Sequence, residues 1–234
     1  MKVLIGMETS GQLRNRFRKA GFEAWSVDFL PSVDDSSYHI QGDLFDHLNS
    51  NTCYDLAIFH PTCTYLTCSS EWAYKDPDFE RYPNVGYHQK VREGTLVGDS
   101  RRKAREKALE NLKKCYMANI ACVAVENPVG AASKGFRAPD QIIQPYWFGE
   151  DASKATCLWL KNLPLLWPTE RVAGRVVVDR ITGKKYERWA NQTDSGQNRL
   201  PPSEDRWSKR SVTYGGFADA MVNQWGTYLR QGKR

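Results

Sequence analysis

The sequence predicts an α/β fold in which a doubly wound parallel sheet is followed by a small β-hairpin elaboration. Short apolar runs alternate with helical patterns over the first 130 residues, and such alternation is typical of a parallel sheet with right-handed crossovers. Further along, the segment from Val176 to Tyr186 has Thr182-Gly183 at its middle, which predicts a hairpin. The length of 234 residues suits one α/β domain with an elaboration.

The first part of the chain supplies four short strands and one helix. Strands are predicted at residues 2–6, 22–27, 39–41 and 54–59. A helix begins after Ser10-Gly11 and ends at Gly21, where glycine favours termination. Residues 64–99 form a long aromatic and polar segment without periodicity, and such loops in a compact domain are usually functional or disordered.

The second part begins with the strongest helical pattern of the chain. Residues 100–119 carry an apolar stripe through Ala108 and Leu112, with Ser100 as the expected N-cap. The remaining predicted elements are a strand at 120–125, a strand at 156–160, the hairpin at 176–186, a polar loop at 191–209 and a helix at 216–229. We therefore expect a cofactor-binding and catalytic core at 1–150, an elaboration at 151–212 and a C-terminal helix at 213–234 that packs back on the core.

Composition and charge narrow the class of protein. Hydrophobic residues make up 41% and charged residues 26%, as in ordinary globular domains. The formal net charge of +6 favours a polyanionic partner such as nucleic acid, against a merely basic surface. Apolar runs are too short to span a bilayer, and the start is too short for a signal sequence. We therefore expect no membrane association and reduced cysteines in the cytoplasm, or in the host cytoplasm if the gene is phage-encoded.

Two apolar runs end in residues that carry chemistry. Leu56-Ala57-Ile58-Phe59 is followed by His60-Pro61-Thr62-Cys63, and the run from Ile120 to Val125 is followed by Glu126-Asn127-Pro128. In open α/β sheets, ligands bind outside the carboxyl ends of the strands. The pattern predicts a thiol and a carboxyl group at one site, although an inert buried thiol and a helix-capping glutamate are the alternatives. No CxxC pair or clear fourth ligand accompanies His60, Cys63 and Cys68, so no metal site is expected.

The earlier strand ends suggest a nucleotide-like ligand. Gly6-Met7-Glu8-Thr9-Ser10-Gly11 is a tight turn that leads into a helix N-terminus. Asp28 ends the second predicted strand, where an acidic residue can bind ribose hydroxyls. Gly42-Asp43 ends the third, and a solvated strand end or a helix cap is the plain alternative for each aspartate.

In this order, the segments resemble the DNA cytosine-5 methyltransferase family. Gly42-Asp43-Leu44 is similar to its Gly-Asp-Ile segment, Pro61-Thr62-Cys63 to its Pro-Pro-Cys segment and Glu126-Asn127-Pro128 to its Glu-Asn-Val segment. The resemblance covers roughly residues 1–130, and the later segments at 144–149 and 154–160 resemble short, phage-type relatives. It implies a Rossmann-like, class I methyltransferase-like fold that uses S-adenosylmethionine.

The sequence also departs from the family pattern. Glu8-Thr9-Ser10 stands in place of a glycine-rich first turn, and Thr62 replaces a proline. We find no Gln-x-Arg-x-Arg segment, and residues 150–212 are too few for a standard target-recognition domain.

The resemblance assigns roles to individual residues. Cys63 would add to carbon 6 of cytosine as a thiolate, Glu126 would face ring nitrogen 3, and Asn127 would orient the loop. Burial at a strand end would raise the pKa of Glu126, as a group that protonates the ring requires. The cofactor-binding residues would be Glu8, Ser10, Gly11, Asp28, Asp43 and Pro61.

Cationic residues at the start of the long helix are candidates for phosphate contact. They are Arg101, Arg102, Lys103 and Arg105, and Arg206, Lys209 and Arg210 could extend the surface. Positive charge is unfavourable at a helix N-terminus, and phosphate contact would offset that cost. A solvated helix face is the alternative.

The predicted function is methylation of cytosine carbon 5 in DNA, single- or double-stranded, through a covalent Cys63 adduct. One alternative is a non-catalytic nucleic-acid-binding protein on a degenerate methyltransferase fold. Another is a carbon-5 pyrimidine modifier that acts on nucleotides or uses a different one-carbon donor. The sequence leaves the target sequence and the oligomeric state open.

Overall fold

The computed structural model describes residues 1–50, 53–68, 71–201, 203 and 212–232. The strands of its main sheet are β1 Lys2–Gly6, β2 Glu23–Asp28, β3 His39–Gln41, β4 Leu56–Phe59, β5 Cys122–Pro128, β6 Gln141–Ile143 and β7 Thr156–Lys161. Within the described ranges they form one seven-stranded sheet in the order β3-β2-β1-β4-β5-β7-β6. Strands β1 to β5 run parallel, and β7 runs antiparallel to both β5 and β6. The predicted Rossmann-like, class I methyltransferase-like α/β fold is confirmed.

Helices cover both faces of this sheet. They are α1 Gln12–Lys19, α2 Leu44–Asn49, α3 Gly98–Met117, the short α4 Ala132–Gly135 and a C-terminal helix. The C-terminal helix consists of Gly215–Ala220, a π-helical turn Met221–Trp225 and Gly226–Arg230.

Strand alternation divides the core into two layers. In β1, Val3 and Ile5 face the layer that contains α1 and the C-terminal helix, whereas Leu4 faces the layer that contains α3. Phe217, Met221 and Trp225 lie in the first layer, buried as their spacing predicts. The second layer is built on α3 through Ala108 and Leu112, among others.

Several boundaries differ from those predicted. Helix α3 begins at Gly98 with Val97 as its N-cap residue, so Ser100 lies inside the first turn and is not the cap. Strand β5 extends to Pro128 because β7 pairs with it up to Thr156. Since β7 belongs to the main sheet, the core sheet continues beyond residue 150, which the sequence predicts as the boundary between the core and the elaboration.

A second, two-stranded sheet stands apart from the main one. Its strands are β8 Arg175–Val178 and β9 Lys185–Arg188, which pair antiparallel as predicted. Between β4 and α3, residues 71–74 form a 3₁₀ helix, and Tyr74 and Tyr87 of this segment are buried. No helix in the described part of the chain is long and apolar enough to cross a membrane.

Candidate active site at the carboxyl ends of the strands

The carboxyl ends of β1 to β5 lie along one edge of the sheet, because these strands run parallel. Phe59 of β4 pairs with Val125 of β5. The residues that follow them, His60-Pro61 and Glu126-Asn127, therefore lie side by side. The structure brings together the two segments that the sequence singles out.

Asn127 joins these two strand ends. Its side chain is buried, and Nδ2 donates to the carbonyl oxygen of Pro61 at 2.8 Å. The bond fixes the backbone two residues before Cys63, and the expected role of Asn127 in orienting the loop for catalysis stays a prediction. Its Oδ1 is buried and has no hydrogen-bond partner among the described residues.

Cys63 is exposed at the start of a turn. Its carbonyl oxygen accepts from the backbone N–H of Leu66 at 2.9 Å and of Thr67 at 3.0 Å. Cys68, five residues later, is also exposed. The inert, buried thiol considered as the alternative for Cys63 is therefore not what the structure shows.

The loop after β5 packs tightly against the Cys63 turn. Gly130 forms a bridge with Thr67, and the N–H of Ala131 donates to the carbonyl oxygen of Leu66 at 2.7 Å. A Cβ atom at position 130 would overlap the carbonyl group of Leu66. Only glycine allows the two backbones to approach this closely.

Glu126 lies among groups that favour its ionised form. Its Oε2 is 3.2 Å from Nδ1 of His60, and its side chain is 16% exposed. Burial raises the pKa of Glu126, but the hydrogen bond with His60, the charge of Lys154 and the hydroxyl of Thr156 together hold the pKa below its ordinary value. The expectation of a raised pKa is wrong for the unliganded protein, because it counted burial and not these partners.

A small cavity opens beside Glu126. Lys154 and Thr156 supply polar groups to it from the connection between β6 and β7 and from the start of β7. The full lining is Glu126, Ile143, Pro145, Lys154, Thr156, Thr213, Tyr214 and Phe217. His60 contacts Glu126 but does not line this cavity, and its Nε2 is buried and has no partner in the described ranges.

In the first turn, the carboxylate of Glu8 contacts the start of α1, whose N-cap residue is Gly11. Glu8 Oε1 accepts from the N–H of Gln12 at 3.3 Å and from the hydroxyl of Ser10. Gly11 has a positive φ of 69°, a conformation that glycine adopts without strain. The second carboxylate oxygen of Glu8, Oε2, is buried and has no partner among the described residues. A cationic group of a bound ligand can donate a hydrogen bond to this oxygen.

The next two strand ends carry the other acidic candidates. Asp28 ends β2, and its Oδ1 accepts from the N–H of Leu30 at 2.9 Å. Phe29, which follows it, is 64% exposed. Asp43 caps α2 by accepting from the N–H of Phe45 at 2.6 Å, which is the helix-cap role considered as its alternative.

The cationic start of α3 is largely occupied within the protein. Arg101 is buried against Tyr74, and Arg102 donates to the carbonyl oxygen of Tyr74 at 2.9 Å. Arg105 donates to the carbonyl oxygen of Tyr65 at 3.0 Å and forms an ion pair with Glu71 at 2.6 Å.

The cost of placing positive charge at a helix N-terminus therefore does not require phosphate contact to offset it. Intramolecular acceptors already bind Arg102 and Arg105, and buried Arg101 donates to the carbonyl oxygen of Leu96 at 3.2 Å, although its Nε has no partner in the described structure. Lys103 is exposed and pairs with Asp99 at 2.8 Å. The expectation of an exposed phosphate-binding group is wrong for Arg101, which is 6% exposed, and for Arg102, Lys103 and Arg105 it stays a prediction. Arg206, Lys209 and Arg210 lie outside the described residues.

Sequence reasoning missed three residues of this site. His60 directly precedes Pro61, and its position at the end of β4 could have indicated its contact with Glu126. Lys154 could not be predicted, because it reaches the site from the connection that leads into the antiparallel strand β7. Phe29 could not be predicted, because in sequence it resembles a core residue. Among the described residues, no group of three or more His, Cys, Asp or Glu side chains could hold a metal ion.

Comparison with known proteins gives distant structural neighbours. No protein-family model matches the chain, and no curated protein matches it. A crystal structure described as a DNA modification methyltransferase encoded within an E. coli prophage aligns with 74% of this chain and 52% of its own, at 13% identity and a TM-score of 0.40. The S. pombe Dnmt2 methyltransferase aligns with 71% of this chain and 51% of its own, at 14% identity and a TM-score of 0.38.

This chain spans about half the length of both neighbours. At these TM-scores neither likeness carries an argument about activity, and the assignment of the fold rests on the strand order and directions of the main sheet.

Proposed function

We propose that this protein methylates carbon 5 of cytosine in DNA, with S-adenosylmethionine as the methyl donor and Cys63 as the nucleophile. One observation carries the proposal. Exposed Cys63 follows β4, Glu126 lies near the end of the neighbouring parallel strand β5, and Asn127 binds the backbone of one strand end to the other. A nucleophile beside an acid–base group at the ligand-binding edge of an α/β sheet is an arrangement for catalysis.

In the proposed reaction, Cys63 and Glu126 act on different atoms of the cytosine ring. Addition of the Cys63 thiolate to carbon 6 pushes electron density onto carbon 5. A proton placed on nitrogen 3 by Glu126 neutralises the charge that develops there. Once carbon 5 has taken the methyl group, whose bond to the donor's sulfonium sulfur breaks, the proton on carbon 5 goes to a solvent base. The bond between the Cys63 sulfur and carbon 6 then breaks, and nitrogen 3 returns its proton to Glu126. In a duplex the base must first leave the stack to reach these groups.

His60 can supply the proton that Glu126 lacks. The lowered pKa of Glu126 means that it is ionised at neutral pH in the unliganded protein. Nδ1 of His60 is 3.2 Å from the carboxylate, and an imidazole can pass a proton to a group within this distance. Transfer from a protonated imidazole to Glu126 leaves two neutral groups and a carboxylic acid ready to face the ring. His60 therefore acts on the base through Glu126.

The first three strand ends fit the methyl donor. When bound, S-adenosylmethionine supplies an electrophilic methyl group on a sulfonium centre. The unpartnered oxygen of Glu8 can accept from the donor's ammonium group, and the carboxylate of Asp28 can accept from ribose hydroxyls. The exposed ring of Phe29 offers a stacking surface for an adenine base. Ser10, Gly11, Asp43 and Pro61 complete the proposed pocket.

Covalent trapping tests the nucleophile. A DNA oligonucleotide that contains 5-fluorocytosine should form a stable adduct with the wild-type protein when S-adenosylmethionine is present, because fluorine at carbon 5 cannot leave as a proton. Cys63→Ser should form none. Cys68→Ser is the matched control, since Cys68 is also an exposed thiol in the described structure, and it should form the adduct normally.

Two outcomes would decide against the proposal. An adduct that persists in Cys63→Ser, or maps to Cys68, would refute the assigned nucleophile. Binding of DNA by the wild type with no adduct under any condition would favour the non-catalytic alternative.

A further inference from the structure

The β8–β9 hairpin exposes apolar side chains to an unusual extent. Ile181 at its turn is 95% exposed, Val176 is 64% exposed and Val178 is 52% exposed. A two-stranded ribbon is only marginally stable by itself. Exposed apolar residues of this kind on a projecting ribbon indicate a surface that another molecule covers.

The base of the hairpin is held firmly against the core. Trp189, directly after β9, is buried and stacks on Tyr146 with 3.8 Å between ring centroids. The N–H of Ala190 donates to Asp151 at 2.9 Å, and Asn191 and Ser153 exchange two hydrogen bonds of 2.9 Å.

These anchors place the hairpin at the rim of the candidate site. Tyr146, Asp151 and Ser153 all belong to the connection between β6 and β7. Because β6 runs parallel to β5, this connection lies at the same carboxyl edge as Glu126. The same connection supplies Lys154, which lines the cavity beside Glu126.

Charge is distributed unevenly along the hairpin. Near the base, Arg171 pairs with Glu187 at 2.5 Å and Arg175 pairs with Asp194 at 2.6 Å. At the turn, three exposed cations form no ion pair within the described ranges: Arg180, Lys184 and Lys185.

The acidic residue at the turn does not neutralise these cations. Oδ1 of Asp179 accepts from the backbone N–H groups of Ile181 and Thr182 and from the hydroxyl of Thr182. It closes the turn and leaves the positive charge at the tip available to a partner.

We propose that the β8–β9 hairpin docks on duplex DNA, with Arg180, Lys184 and Lys185 on phosphates and Ile181 against base edges. A two-stranded β-ribbon fits the major groove, and an apolar side chain there can contact a thymine methyl group. The charge complementarity is direct, since the tip is cationic and DNA is polyanionic. The proposal rests on DNA being the substrate and assigns its contact to a surface other than α3, whose arginines are occupied internally.

Fluorescence anisotropy with a labelled DNA duplex, measured between about 50 and 200 mM salt, tests this assignment. The full-length variant with Arg180→Ala, Lys184→Ala and Lys185→Ala should flatten the salt dependence of the binding constant by about 2–3 units of slope. The matched control replaces three exposed lysines without ion pairs in the described structure, Lys19, Lys107 and Lys113, with alanine. It changes the net charge equally and should keep the wild-type slope. Ile181→Ser should weaken binding without changing the slope.

The outcomes separate this proposal from the proposed function. An unchanged slope in the hairpin variant, or an equal loss in the control, would refute docking by the hairpin while leaving DNA as the substrate. Binding and trapping of single-stranded DNA with no duplex binding would refute it in the same way. If the wild type binds neither form of DNA, the proposed DNA substrate itself fails.

Discussion

Glu126 lies between an imidazole at the end of β4 and an ammonium group on the connection between β6 and β7. Burial alone would favour the neutral acid, but His60, Lys154 and Thr156 hold the pKa of Glu126 below its ordinary value. A carboxyl group with a lowered folded-state pKa stabilises the folded protein above its unfolded pKa, about 4.3 for glutamate. That contribution is lost as the pH falls through the folded-state pKa. The resting site is therefore charged, and proton supply becomes a separate requirement of catalysis.

Replacement of His60 by glutamine tests the source of this proton. The amide of glutamine can still donate a hydrogen bond to Glu126 but cannot carry a titrating proton. We expect His60→Gln to lower the methylation rate at neutral pH by about 100-fold, within the range typical of general acid–base groups. The pH–rate profile should shift towards acid, because Glu126 must then take its proton from solvent while Lys154 and Thr156 still lower its pKa. A normal rate and an unshifted profile would show that His60 only orients Glu126.

Two connecting segments position the catalytic candidates. The Cys63 turn is held by Asn127 from one side and by the loop around Gly130 from the other. The segment at 71–74 is held on α3 by Arg102 and Arg105, which bind backbone carbonyl groups and Glu71. The cationic helix start, which in sequence suggests a nucleic-acid surface, therefore ties down the long connection that follows Cys63.

Gly130→Ala tests the contact between the loop after β5 and the Cys63 turn. The added Cβ atom would meet the backbone of Leu66, which cannot rotate away. We expect a loss of about 1–3 kcal/mol in unfolding free energy, as for other overpacked sites, and slower adduct formation at Cys63. Gly42→Ala is the control, because no atom lies within 4 Å of a Cβ atom there, and it should be neutral in urea unfolding. Equal stability of the two variants would contradict the proposed packing.

For the whole molecule, sequence reasoning succeeds where the information is local. The meeting of the segments that carry Cys63 and Glu126 follows from two strand runs and the rule that parallel strands end at one edge. It fails where distant segments meet. Arg102 and Arg105 donate hydrogen bonds to backbone carbonyl oxygens. Such contacts cannot be predicted from the order of side chains in the sequence. Lys154 reaches Glu126 only because β7 reverses direction, and β6, with three residues, is too short to stand out in the sequence.

The same architecture separates the proposed cofactor pocket from the proposed DNA contact. Glu8, Asp28 and Asp43 follow β1, β2 and β3, at one end of the sheet order, whereas the hairpin is anchored beside β6 at the other end. The two binding functions should therefore respond independently to substitution.

Thermal unfolding with S-adenosylmethionine tests this separation. A ligand present at about 100 times its dissociation constant stabilises the folded state by about 2.7 kcal/mol, which corresponds to about 5–10 °C in Tm for a chain of this size. Asp28→Ala should lose most of this shift, because a charge-assisted hydrogen bond to ribose contributes about 1–3 kcal/mol. Asp46→Ala, which removes an exposed carboxylate from α2, should retain it. The hairpin variant lacking Arg180, Lys184 and Lys185 should also retain it, because its substitutions lie at the opposite end of the sheet order. Loss of the shift in the hairpin variant would contradict the separation, and no shift in the wild type would point to a different one-carbon donor.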